Sequence, residues 1–147
     1  DKSETLNLLR ALIKAQAEDK GYHWVVLAHQ KVAGLVSLID VRRKHRKWRI
    51  DRAELSYWIT PSDQGKGYAT EAGKAVLSFG FDSLKLHRIV LGHIPENVSS
   101  QGVAQKLGFS KFGREREAVY FEERWFDMIW YEKVVGNGES RELKAYS

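Results

Sequence analysis

Gln64-Gly65-Lys66-Gly67-Tyr68-Ala69-Thr70-Glu71-Ala72 is a glycine-broken loop that leads from the strand-like run Leu55 to Thr60 into a helix-forming segment. A helix start leaves several backbone N–H groups without partners at the positive end of the helix dipole, so an anion placed there meets donors and favourable charge together. Gly65 and Gly67 remove the side chains that would block its approach. The stretch therefore reads as a seat for a pyrophosphate, and as a strand-loop-helix unit.

Spacing narrows the choice of ligand. A Walker loop requires Gly-x-x-x-x-Gly-Lys followed by Ser or Thr, whereas Lys66 lies between two glycines here. The dinucleotide fingerprint requires a Gly or Ala where this chain has Thr70, and an acid about 20 positions on, where it has Leu86 and His87. Neither pattern fits, and on local pattern alone an ordinary strand-to-helix turn is an equal alternative.

Residues around the loop break that tie. Gln64-Gly65-Lys66-Gly67-Tyr68-Ala69 resembles the acetyl-CoA pyrophosphate loop of the GNAT superfamily of N-acetyltransferases. Ala53-Glu54-Leu55-Ser56-Tyr57-Trp58-Ile59 before it, Thr70-Glu71-Ala72 after it, and Asn97-Val98-Ser99-Ser100 leading to Lys106-Leu107-Gly108-Phe109 resemble the RimJ/RimL branch, in the same order and with fitting spacing. The resemblance runs from about Tyr22 to Lys133.

Composition is compatible with that reading. A length of 147 residues with 43% hydrophobic content suits one domain with its own core. The expected division is a single GNAT domain over 1–135 and a loose C-terminal tail over 136–147, where apolar residues are few. The absence of cysteine excludes disulfides, thiol nucleophiles and cysteine-ligated metal, and a cytoplasmic location is expected. Apolar runs such as Trp24 to Ala28 fall well short of the roughly 20 residues of a membrane span, and Asp1-Lys2-Ser3-Glu4 does not read as a signal peptide, so no membrane association is expected. His23, His29, His45, His87 and His93 show no ligand spacing, so no metal is expected; only His93 falls near the cleft strand.

The net charge of +5 is local. Residues 42–49 hold six of the 24 Lys and Arg, leaving 18 against 19 acids elsewhere. Such a run is commonly a solvated loop; the alternative is a patch for an acidic partner, such as ribosomal RNA near a protein substrate or the phosphates of CoA. Trp48 alone does not make a stacking platform.

Periodicity predicts an N-terminal helix with Leu6, Leu9, Ile13 and Ala17 on one stripe, ended by Gly21. His23 to His29 and Val32 to Ile39 read as a hairpin turning at Gln30-Lys31, after which the basic run bridges to a strand over Ala53 to Thr60. A helix over Thr70 to Phe81, a strand over Arg88 to Ile94 and a short helix ended by Gly108 follow. Phe109 to Gly113, Ala118 to Phe121 and Trp125 to Tyr131 read as antiparallel strands. The expected class is α+β. The resemblance implies the GNAT fold: a mixed, mostly antiparallel central sheet with flanking helices and a V-shaped splay between two central strands. The family's first strand and helix are expected to be absent from this chain.

The resemblance also assigns roles. Backbone of Tyr57, Trp58 and Ile59 would pair with the pantetheine amides like an added strand, although both aromatics also suit a core. Gln64, Gly65, Lys66, Gly67, Tyr68, Ala69 and Thr70 would hold the pyrophosphate, with Val103 and Lys106 completing the acetyl-CoA site. Glu54 matches the branch's glutamate and is the candidate general base; its alternative is a surface carboxylate paired with Arg49 or Arg52. Asn97 is a candidate for a pantetheine amide or a bridging water and Ser100 for the leaving sulfur, with helix capping as the alternative for both. The tyrosine acid that many GNAT enzymes carry four residues before the Gly of the Gly-Phe pair is replaced by Ala104. Together these imply transfer of acetyl from acetyl-CoA to a primary amine by direct attack. A protein N-terminal α-amine of the ribosomal type is favoured. The alternatives are a small amine (polyamine, amino acid or aminoglycoside) or a non-catalytic CoA- or RNA-binding module. A homodimer is compatible with the sequence.

Overall fold

The computed structural model describes residues 14–135, so the predicted stripe positions Leu6, Leu9 and Ile13 and the predicted tail over 136–147 lie outside the described residues. Helical backbone at residues 14–17 stops at Asp19, which takes φ 58, two residues before the predicted terminator Gly21. Asp19 is held in that left-handed conformation by Arg43 Nε, which donates to its carboxylate at 2.7 Å, and by the Tyr22 hydroxyl at 2.5 Å.

Period-2 apolar residues then drive six strands. β1 (Tyr22–Ala28) and β2 (Lys31–His45) pair antiparallel, Trp24 opposite Val36 and Tyr22 opposite Leu38, so that their large side chains share one face. The connecting turn is His29-Gln30, with φ 52 and 64, one residue earlier than predicted. Positive φ at both positions is the hairpin turn whose twist matches that of the strands.

The basic run departs further from expectation. It is not a loop: β2 continues through it to His45 and β3 (Trp48–Ile59) starts beyond a tight turn at Arg46-Lys47. Two features make strand out of so cationic a sequence. Val41 is buried against the core, and the buried Asp51 takes Arg43 and Arg49 as ion-pair partners. Neutralising part of the charge from within the hairpin removes the repulsion that would otherwise splay its tip.

α1 (Tyr68–Ser78), prolonged by a wider turn over Phe79–Ser83, carries the chain across the sheet to β4 (Arg88–His93), which lies parallel to β3. A parallel partner requires such a crossover. α2 (Val98–Lys106) leads to β5 (Ser110–Phe121) and β6 (Arg124–Val134). β5 is one strand where two were predicted; a register shift between Glu115 and Val119, with Glu117 at φ 49, absorbs the polar middle as a bulge. The sheet order is β1-β2-β3-β4-β6-β5, antiparallel except at β3–β4.

The core lies between the helices and one face of this sheet, with Leu38, Leu55, Leu86, Ile89 and Leu91 fully enclosed. Pairing between β3 and β4 covers only Arg52 with Arg88, Ala53 with Ile89 and Glu54 with Val90. Beyond that point β3 runs on to Ile59 and β4 to His93 with no mutual pairing, each held from its other side by β2 or β6. The sheet opens there into the V-shaped splay that the resemblance implied.

Candidate active site

The open arm of the V carries a cavity of about 380 Å³, bounded by the end of β3, the loop before α1 and the first turns of α2. Tyr57, Trp58, Ile59, Gln64, Gly65, Gly67, Tyr68, Ala69, Thr70, Asn97, Ser100, Val103 and Lys106 line it. Of the predicted acetyl-CoA contacts only Lys66 is outside the lining; its ammonium lies 3.5 Å from Asp63. Asp63, Ser99 and Gly102 also line the cavity and were not singled out from the sequence. Asp63 follows Pro61 in the turn that ends β3, and the other two occupy α2 positions next to predicted ones.

The loop has the geometry that an anion needs. Gly65 and Gly67 take φ +78 and +82, which side-chain-bearing residues rarely adopt, and a Cβ at either would project into open space. Gly67 is the N-cap of α1 and makes no side-chain cap bond, so the first backbone N–H groups of the helix remain unpaired beside the cavity.

Opposite the loop, the Tyr57 hydroxyl donates to Ser100 Oγ at 2.8 Å. Burial raises the Tyr57 pKa, an effect that the bond to Ser100 partly offsets, so the phenol stays protonated and Ser100 keeps its own O–H for another acceptor. Ser100 is buried and stands third in α2, whose N-cap position is held by Asn97. Asn97 occupies the N-cap position of α2 without making a side-chain cap; its Oδ1 accepts from Ser99 Oγ at 2.9 Å, which leaves its amide nitrogen available. Ala104 is fully buried in the core, so no side chain from that position reaches the cavity.

Glu54 lies apart from the cavity lining, at the last paired rung of β3 and β4. Strand alternation puts it with Arg52, Ser56 and Trp58 on the sheet face away from the core, whereas Leu55 and Tyr57 face inward. Burial, aided by the charge of Asp40, pushes the Glu54 pKa up to about 7. Neither of its sequence-stated alternatives is formed: Arg49 pairs with Asp51, and Arg52 takes no carboxylate among the described residues. A half-buried carboxyl, unpaired among the described residues and with its pKa raised toward neutrality, suits proton abstraction.

His93 ends β4 buried, with Nδ1 2.7 Å from the Ile94 carbonyl and Nε2 3.0 Å from the Tyr131 hydroxyl. Both ring nitrogens are thereby used in holding the strand end. Among the described residues there is no group of three metal-ligating side chains, and no helix is long and apolar enough to cross a membrane.

Comparison with known proteins places this geometry. The sequence profile of the Acetyltransferase (GNAT) domain matches residues 1–110. The probable N-acetyltransferase YjcK of Bacillus subtilis (strain 168) is 34% identical over 112 residues, 75% of this chain and 60% of that protein. The spermidine N(1)-acetyltransferase of Escherichia coli (strain K12) is 39% identical over 90 residues, 61% of this chain and 46% of the relative. The crystal structure of the ribosomal-protein-S5-alanine acetyltransferase from Vibrio fischeri superimposes with a TM-score of 0.80 at 25% identity, covering 90% of this chain and 72% of that one. The chain thus spans 60% or less of the length of these two curated relatives.

Proposed function

The chain belongs to the GNAT family of acetyltransferases, and from that premise we propose that it transfers acetyl from acetyl-CoA to a primary amine by direct attack. The observation that carries this reading is the union, around one cavity, of the glycine loop at the start of α1, the unpaired end of β3 and the Tyr57–Ser100 pair. The cavity's donors fit the proposed cosubstrate: unpaired N–H groups for a pyrophosphate, strand-edge backbone along Tyr57, Trp58 and Ile59 for pantetheine amides once Gln64 Nε2, which donates to the Ile59 carbonyl at 3.1 Å, gives way, and Lys106 for a further phosphate.

Each chemical requirement of amide formation then has a residue. The attacking amine has to lose a proton, and Glu54 is the base, directly or through a water. A backbone N–H of the splayed β3 edge receives the developing oxyanion. Ser100 donates to the departing sulfur and is backed by Tyr57, which supplies the phenol missing from position 104. Asn97 orients the pantetheine arm. The absence of cysteine from the sequence leaves no thiol to carry an acyl group, which agrees with direct attack.

The acceptor we propose is a protein N-terminal α-amine, with acetyl-CoA as donor. The solved relative named for ribosomal protein S5 supports that class, as does the outer sheet face, on which the exposed Trp58 lies four residues along β3 from Glu54. The spermidine-acetylating relative keeps a small amine as the second reading. Incubation with acetyl-CoA and either a free-amine peptide, the same peptide N-acetylated, or spermidine, followed by thiol release, tests the assignment. Release only with the free-amine peptide is expected. Faster release with spermidine would replace the acceptor, and acetyl-CoA binding without release to any amine would make the chain a non-catalytic module.

A further inference from the structure

Arg42, Arg52 and Arg88 occupy facing positions on three adjacent strands: Arg42 is the register partner of Arg52, which is the register partner of Arg88. Like charges placed directly across a sheet are destabilising, so such a rung invites a counter-charge. Among the described residues one is supplied only at its edge, where Arg88 Nη1 donates to Glu132 at 2.5 Å and its guanidinium also lies over the Phe112 ring. Among the described residues Arg42 Nη2 has only His45 Nδ1, at 3.4 Å. Arg52 makes no ion pair among the described residues, and its Nε is enclosed without any hydrogen-bond partner. Burial, then Arg88 and Arg42, depress the Arg52 pKa, the signature of a cation lacking its anion.

The carboxylates that might have served point elsewhere. Asp51 is taken by Arg43 and Arg49, and Asp40 lies beside Glu54. Instead, Arg42, His45, Ile50 and Arg52 enclose a hollow of about 260 Å³. This hollow is separate from the cavity of the glycine loop, with no lining residue in common. Arg52 precedes Glu54 by two residues on an unbroken stretch of strand, so the two side chains share a face about 7 Å apart at their Cα atoms.

We propose that the Arg42–Arg52–Arg88 rung, with its hollow, is an acceptor subsite that binds a carboxylate carried by the same molecule whose amine meets Glu54. This rests on the acetyltransferase reading for the amine's position, though not for the anion's. In an extended peptide, about 7 Å is two residues, so the matching carboxylate is an Asp or Glu side chain at the second or third position of the acceptor. The planar Arg52 guanidinium, whose Nε is enclosed, would meet it through its terminal nitrogens together with Arg42. Polyamines, which carry only positive charge, would be repelled from the rung.

The experiment reads binding, not transfer, so that it survives failure of the catalytic assignment. Tryptophan fluorescence of the purified chain is titrated with Ala-Ala-Asp-Ala amide, its Ala-Ala-Asn-Ala counterpart and free glutamate, for the parent, Arg52→Gln and Arg52→Lys. The parent is expected to prefer the Asp peptide by about tenfold at low salt, with the preference shrinking as salt is raised. Arg52→Gln should abolish the preference while leaving the Asn peptide within twofold, and Arg52→Lys should restore part of it. Glutamate matching the peptide would identify a small amino acid as the carboxylate's source, and weaker glutamate binding would identify a polypeptide; either supports the subsite. Equal binding of the Asp and Asn peptides by the parent, or an undiminished preference in Arg52→Gln, would overturn it. A chain that shows the preference yet transfers no acetyl would refute the acetyltransferase reading alone.

Discussion

Tyr57 and Ser100, 43 positions apart in sequence, meet at 2.8 Å across the open end of the V, where the phenol of β3 donates to the buried hydroxyl of α2. The bond ties the strand edge that would bind the thioester to the helix turn that would receive the leaving thiolate. Because Ser100 Oγ accepts from the phenol, its own O–H is left for another acceptor.

Tyr57→Phe removes that support without opening a cavity. The expected result is a fall in kcat of about tenfold, equivalent to one modest hydrogen bond, with KM for acetyl-CoA little changed. Ser100→Ala should cost more, since it deletes the donor itself. Steady-state kinetics of thiol release measures both; a Ser100→Ala enzyme with unchanged kcat would remove Ser100 from the mechanism.

Glu54 should control the pH dependence. With its pKa pushed up to about 7, kcat/KM should rise with pH through neutrality as the base ionises, and Glu54→Gln should lower the rate by roughly 10²-fold or more and flatten that limb. Stability moves the opposite way. A carboxyl raised from 4.5 to about 7 binds its proton more tightly when folded, so stability falls as pH rises through that window and the penalty is complete above it. Glu54→Gln should therefore melt higher than the parent at pH 8, and show a smaller difference at pH 4.

The core prediction concerns Leu38, which is completely enclosed beneath the helices. Leu38→Ala should cost about 2–5 kcal/mol by lost burial and residual cavity, read as a shift in the urea midpoint. A change under 1 kcal/mol would contradict the packing described.

Much of this was legible in the sequence, and the exceptions share a cause. Gly65, Gly67 and the strand-to-helix switch around them are local signals, and the loop residues they nominated line one cavity except Lys66. The termination of pairing at Glu54 and Val90 is a matter of register, which no local pattern encodes. The Tyr57–Ser100 bond links segments that composition treats separately. The basic run reads as a loop because runs of like charge are commonly solvated. The contrary signal was Asp51, a lone acid among Arg49 and Arg52 that repays strand formation by pairing Arg43 and Arg49. The Arg42–Arg52–Arg88 rung joins three strands distant in sequence and is visible only once they are set side by side.

The central claim is that the cavity at the start of α1 holds acetyl-CoA, and calorimetric titration of the purified chain with acetyl-CoA tests it most directly, with Gly67→Glu as the control. Gly67 has open space in place of a side chain and φ +82, so a glutamate there puts strain and negative charge where the pyrophosphate is to sit. Saturable one-to-one binding by the parent, weakened at least tenfold in Gly67→Glu, is the predicted result. No binding by the parent, or equal binding by the variant, would contradict the account.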